Sequence, residues 1–185
     1  MICALLNGSL LFKEKHQKLL ETIAYLGFDA LKNHNILTPI MISQEETKVL
    51  PASKNPASIA HFLQQINTRS LKEKKNPLEN LAKKLHSKIK KKSLIIFVGD
   101  FLGEVDLTLL SQRHELFIII IRDSFEENPH TLGEGEFSDL ESGESADFYF
   151  GKKAKEAYAK AYHDNDKKLF KHLHAIGAHY AKVVI

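Results

Sequence analysis

Two textures alternate along the chain. Unbroken apolar runs at 2–6, 94–98 and 116–121 are bounded by polar residues, the pattern of strands covered on both faces. Between the first two runs, Leu19, Leu20, Ile23, Ala24, Leu26, Phe28, Ala30 and Leu31 recur at roughly helical spacing and predict one long helix over 13–33. The segment 36–43 predicts a strand, and 47–53 can return beside it through the polar residues 44–46. Pro39 lies inside the first of these and cannot donate to a ladder, so the pair belongs toward a sheet edge. Asn55-Pro56 and Asn76-Pro77 each join an N-cap candidate to a proline at the first helical position, so two further helices are predicted from these points. Residues 104–114 hold a short helix, 152–177 a long one ended by Gly177, and 179–185 a last strand.

Strand and helix in this alternation, with two fully apolar strands, predict an α/β fold: a mostly parallel sheet between two layers of helices. Residues 123–150 differ in texture, being rich in glycine, serine and acids, and predict an extra acidic hairpin centred on Gly143. A chain of 185 residues is long enough for one domain with a substantial core. The first strand begins almost at Met1. We read this as the mark of a single domain over 1–185 that forms the carboxyl-terminal part of a longer protein.

Composition narrows the class. Hydrophobic residues make up 43% and charged residues 26% of the chain, a globular balance. No apolar run approaches the ~20 residues that span a bilayer, and "MICALL" lacks the features of a secretion signal, so the expectation is a soluble, cytoplasmic segment that makes no membrane contact of its own. Cys3 is the only cysteine, which excludes an internal disulfide and a multi-cysteine zinc site and suggests a buried thiol. Neither a glycine-rich phosphate loop nor a GxSxG nucleophile elbow is present.

The net charge of +3 conceals a polar layout. Residues 69–92 hold ten Lys or Arg against two Glu, whereas 123–147 hold nine Asp or Glu and no Lys or Arg. The basic stretch can neutralise phosphates. Its lysines also alternate with Leu78, Leu81, Leu85 and Ile89, as on the solvated face of an amphipathic helix, and no aromatic residue is interleaved for base stacking. His172, His174 and His179 lack the i, i+4 spacing of a metal pair and read as solvated or capping residues. His114 reads as a packing and hydrogen-bonding residue. Asp100 follows the central strand, where open α/β sheets meet their ligands. Its expected work is structural, accepting bonds from Ser9 or from loop amides.

Several words in order resemble one known family. Gly99-Asp100-Phe101 closes a strand, Arg113-His114-Glu115 leads into the next and Arg122-Asp123 ends it; Asp139-Leu140-Glu141-Ser142-Gly143-Glu144 and a Tyr/Ala-rich helix ending near Gly177 follow. Over some ninety residues this resembles the carboxyl-terminal half of the proteins called domain of unknown function 58. The first ninety residues match in element order and only loosely in sequence. The resemblance implies a von Willebrand factor A-like three-layer α/β/α sandwich with an antiparallel edge strand.

That fold often carries a metal-ion-dependent adhesion site, an Asp-x-Ser-x-Ser motif joined by a later Thr and Asp. Here the motif positions fall on Leu5, Asn7 and Ser9, the threonine position near Asn76, and the later aspartate on Asp100. One carboxylate beside an amide and a hydroxyl is a poor set of hard ligands for magnesium, so the site reads as degenerate, and no cofactor is expected. If any cation binds, its ligands are Ser9, Asn7 and Asp100.

The implied function is protein binding rather than catalysis, with a MoxR-type AAA+ ATPase as the partner in assembling or activating other proteins. The expected contact surface is the strand-tip rim of Asn7, Gly8, Ser9, Leu10, Asn76, Asp100 and Phe101, with Leu10 and Phe101 as apolar anchors. Family members often carry membrane-spanning segments ahead of this region, which implies a tethered full-length protein. Two alternatives stand beside this reading: a metal-dependent hydrolase using Asp100, and a nucleic-acid module using the lysine-rich residues 69–92.

Overall fold

A computed structural model describes residues 1–6, 13–43, 46–68, 78, 80–130, 133–138 and 145–185; for 133–138 and 145–150 it describes the backbone alone. The order of elements is β1 (Ile2–Leu5), α1 (Lys13–Lys32), β2 (Pro39–Ile42), β3 (Thr47–Val49), α2 (Ala57–Thr68), α3 (Leu81–Lys88), β4 (Leu94–Gly99), α4 (Thr108–Ser111), β5 (Glu115–Arg122), α5 (Ser124–Glu127), β6 (Gly133–Ser138), β7 (Ser145–Phe150), α6 (Lys152–Ala175) and β8 (His179–Val184).

Six strands form one sheet in the order β3-β2-β1-β4-β5-β8. All neighbours are parallel except β2 and β3. Pro39 is the first residue of β2, so its missing N–H interrupts no ladder. Alternate residues of the strands serve opposite faces. Cys3, Leu5, Phe97, Ile118 and Ile120 pack with Leu81 and Leu85 of α3, Leu110 of α4, and Leu169 and Leu173 of α6. Ile2, Ala4, Val98, Ile119 and Ile121 pack with Leu19 and Ile23 of α1 and Ile59, Phe62 and Ile66 of α2. This is why the strands read as continuous apolar runs: the molecule is a three-layer α/β/α sandwich, as expected. Burial pushes the Cys3 thiol up to about 12, an inert packing group.

Gly99 permits a close approach at the sheet centre, since a Cβ there would stand 2.7 Å from Cβ of Leu5 on β1. The antiparallel pair β6–β7 forms the expected hairpin, closed at Ser138 opposite Ser145. Its turn, Gly143 included, lies outside the described residues. Asn55 caps the approach to α2, its Oδ1 accepting from Ala57 N at 2.9 Å. The next helix departs from expectation: α3 starts at Leu81, with Asn80 at a left-handed φ of 54° and no side-chain cap bond. Asn76 and Pro77 lie outside the described residues. On α3, Leu81, Ala82 and Leu85 are buried while Lys83, Lys84 and Lys88 are exposed, the solvated face anticipated for these lysines. Gly177 ends α6 at φ 67°, as expected of a C-terminal glycine.

Candidate functional site

The expected rim is only partly visible. Asn7, Gly8, Ser9, Leu10 and Asn76 lie outside the described residues. Asp100 and Phe101 stand together at the end of β4, and both are buried, at 3% and 0% exposure. The expectation that Phe101 serves as an exposed anchor is therefore corrected. Its ring meets that of Phe97 edge-on at 6.4 Å inside the core, because its φ of 54° turns the chain so that the side chain points inward. Asp100 does structural work: its Oδ1 accepts from Leu102 N at 3.3 Å, a loop amide as anticipated.

The centre of this end of the sheet is Arg122, the last residue of β5. It is fully buried. Nη1 donates to the carbonyl of Asp100, tying β5 to the turn after β4. Nη2 donates to Oδ1 of Asp166 on α6 at 2.6 Å, and the guanidinium lies 5.9 Å from the centroid of the Tyr162 ring. Nε stands 3.9 Å from Glu127, outside hydrogen-bond range. Lys182 on β8 binds Oδ2 of Asp166 at 2.8 Å and Oε1 of Glu127 at 2.5 Å. Burial works to raise the Asp166 carboxyl, yet the bonds and charges of Lys182 and Arg122 outweigh it and hold it below the usual range. For Lys182 burial works downward, and the bonds and charges of Asp166 and Glu127 prevail to raise it.

A second buried cation completes the network. Lys15, near the start of α1, donates to Oε1 of Glu126, which also accepts from the Tyr162 hydroxyl at 3.2 Å. Oε2 of Glu126 accepts from Asp123 N at 2.9 Å, while Oδ1 of Asp123 accepts from Phe125 N at 2.7 Å. These reciprocal bonds are a capping box for α5. Burial pushes the Tyr162 hydroxyl far up, so it stays a donor.

The loop after Phe101 is held by one face of α6. Asn165 accepts from Gly103 N at 3.0 Å through Oδ1 and donates to the Phe101 carbonyl at 3.2 Å through Nδ2. His172, two turns further along, accepts from Leu107 N at 3.0 Å through Nε2. His172 was expected to be solvated or capping; it holds the residue from which α4 starts. Between them Lys168 faces Glu104 at 3.7 Å in an exposed pair. The pinned loop, α3 and α6 enclose a groove of about 550 Å³. Ala82, Val105, Leu109 and Leu169 supply its apolar part, and Lys83, Glu104, Asp106 and Lys168 its charged margin.

Among the described residues, no three His, Cys, Asp or Glu side chains group closely enough to hold a metal ion. Among the described residues, the groups around the turn after β4 are one carboxylate, main-chain amides and a guanidinium bound to the neighbouring carbonyl; Asn7 and Ser9 lie outside them. Sequence reasoning missed Lys15, Asp166 and Lys182, each a single charge in an ordinary setting, and met Arg122 only as a word of the family resemblance, without a role. The Asp123-x-x-Glu126 spacing was the available signal, a capping-box pattern written directly after a strand.

Residues 4–168 match the family described as "Protein of unknown function DUF58". No curated protein matches the chain. The solved structures that share its fold include the two that follow. The conserved hypothetical protein BatB from Bacteroides thetaiotaomicron superposes with a TM-score of 0.50 at 12% identity, over 99% of this chain and 88% of that one. An aerotolerance-related membrane protein from Bacteroides fragilis NCTC 9343, carrying multiple mutations to serine, gives 0.52 at 14% identity over 99% and 90%.

Proposed function

We propose, for a chain that belongs to the DUF58 family of proteins of unknown function, that it is a non-catalytic interaction domain. Its partner surface is the groove between α3, α6 and the loop 101–107. The observation that carries this reading is the pinning of that loop by Asn165 and His172. Three bonds from side chains of α6 to its backbone hold a partly buried loop in one conformation, which lowers the ordering cost of docking a partner against it. The groove offers apolar contacts inside a charged margin, the usual anatomy of a protein interface.

The buried charges at the strand ends support a structural rather than catalytic reading of that end. Arg122, Lys15 and Lys182 each engage carboxylates of the same chain. The partner class implied by the family resemblance is a MoxR-type AAA+ ATPase, and no cofactor is assigned.

The test uses a purified MoxR-type AAA+ ATPase and measures binding by calorimetry. Val105→Asp, in the groove, is expected to weaken binding at least tenfold while the melting temperature moves little. Wild-type affinity in that variant would sink the groove, and no binding by the wild-type protein would sink the partner.

A further inference from the structure

The opposite end of the sheet carries a different surface. Parallel register brings the amino ends of the strands together: Ile2 pairs with Pro39 and Ile96, Leu94 with Glu115, and Phe117 with His179. The segments leading into these strands therefore share one rim. Before β4 stand Lys88, Lys90, Lys91 and Lys92, all exposed, and before β5 stands exposed Arg113. Among the described residues, the ion pair these five cations make is the wide, exposed one of Lys92 with Glu115 at 3.9 Å.

Helix C-termini favour nearby cations, and Lys88 in the last turn of α3 is accounted for in that way. Lys90, Lys91 and Lys92 are not. They follow the C-cap Ile89 in a non-helical connection, three like charges in succession. The same rim exposes aliphatic side chains: Ile36, which leads toward β2, is 64% exposed, and Leu94, which opens β4, is 48% exposed. The strands at which they stand, β2 and β4, are two strand spacings apart, roughly 10 Å.

From this combination we infer that the amino-end rim is a docking surface for an anionic lipid membrane, with Lys90, Lys91 and Lys92 at the headgroups and Ile36 and Leu94 entering the interface. Charge complementarity selects an anionic occupant, and the exposed aliphatic groups favour a lipid interface over nucleic acid, since they have no partner on a phosphate backbone. Residues 88–94 also hold no aromatic side chain to stack on bases. Docked in this way, the domain turns the loop 101–107 away from the bilayer. The inference is independent of the partner groove.

The test is sedimentation of the protein with vesicles of phosphatidylcholine alone and of phosphatidylcholine with about a third phosphatidylserine. Binding is expected only to the anionic vesicles and should fall with salt. Each lysine near such a surface contributes about fivefold, so Lys90→Glu, Lys91→Glu and Lys92→Glu together should lower partition by at least about a hundredfold. Ile36→Ser should lower it several-fold without changing the salt dependence. Circular dichroism verifies that both variants are folded. Absence of binding to anionic vesicles would overturn the inference, as would equal binding to both compositions. Tighter retention on duplex DNA, indifferent to Ile36→Ser, would assign the rim to nucleic acid instead. Self-association abolished by the triple change, without vesicle binding, would assign it to a second copy of the chain.

Discussion

Arg122 and Asp166, from a central strand and the last helix, meet at 2.6 Å with the guanidinium fully buried. A buried pair of this kind contributes modestly as a pair, yet breaking it leaves one charge uncompensated. Asp166→Ala is expected to destabilise the fold by about 3–5 kcal/mol in chemical denaturation, since it takes the carboxylate from buried Arg122 and leaves Lys182 with Glu127 alone. Arg122→Met combined with Asp166→Leu should recover much of that loss. A double variant as unstable as the sum of its singles would show that the two side chains act separately.

The same ion pairs set a pH window. Asp166 has a depressed folded value, so its stabilisation is present above the unfolded carboxylate value of about 4 and is lost as pH falls through the folded one. Lys182 is raised, so its contribution is present below about 10.4 and is lost as pH rises through its folded value. A denaturation midpoint that holds level between these limits and falls beyond both is expected. Lys182→Met should remove the alkaline arm that this group contributes.

His114 adds a dependence in the neutral range. It is 4% exposed, and neither ring nitrogen has a hydrogen-bond partner, which corrects the expectation that it hydrogen-bonds. Burial, and then the charges of Arg113 and His86, push its value down. The unfolded chain therefore takes up the proton first, and stability should decline as pH falls below about 6.5. His114→Phe is expected to flatten this decline and to leave stability at pH 8 equal or higher, since it removes two unsatisfied polar atoms. An unchanged slope in the variant would assign the dependence to another group.

Phe101 and Gly99 test the turn at the end of β4. Phe101→Ala should cost about 3–5 kcal/mol, the range for a buried aromatic ring, and so cannot serve as a surface probe. Gly99→Ala should cost about 1–3 kcal/mol through the clash with Cβ of Leu5, and Leu5→Ala in the same chain should not relieve it, since alanine keeps that atom. If Gly99→Ala melts like wild type, the strands β1 and β4 do not approach as closely as 2.7 Å demands.

Loop pinning is measurable without a partner. Asn165→Ala removes both the acceptor of Gly103 N and the donor to Phe101 O. Amide exchange at Gly103 and Leu102 should then quicken at least tenfold, while amides of β5 keep their protection. Unchanged exchange would mean that the turn holds itself.

The fold was legible where one physical demand dominates a stretch of chain. Ile118 and Ile120 face one helical layer and Ile119 and Ile121 the other, so burial on both faces left an uninterrupted apolar run in the sequence. Pro39 marked an edge-side strand through its missing donor, and Gly177 a helix end through its positive φ. The site was less legible because its meaning lies in pairs distant along the chain. Lys15 in "KEKHQKLL" looks like its neighbours Lys13 and Lys18, and what distinguishes it is Glu126, more than a hundred residues later. His172 resembled the other histidines of α6 until Leu107 was brought to it. Phe101 was assigned to the surface because it follows a strand end, and the left-handed φ that buries it has no signature in a non-glycine residue.

The placement of β1 between β2 and β4 has a consequence for biosynthesis. Ile2 pairs with Ile96 across some ninety residues, and both edges of the first strand need partners that are translated after it. At roughly 5–20 residues per second, the ribosome leaves "ICALL" bare on the β4 side for about 5–20 s. A nascent chain in that interval is a natural client for chaperones, and arresting translation before Leu94 should yield insoluble fragments.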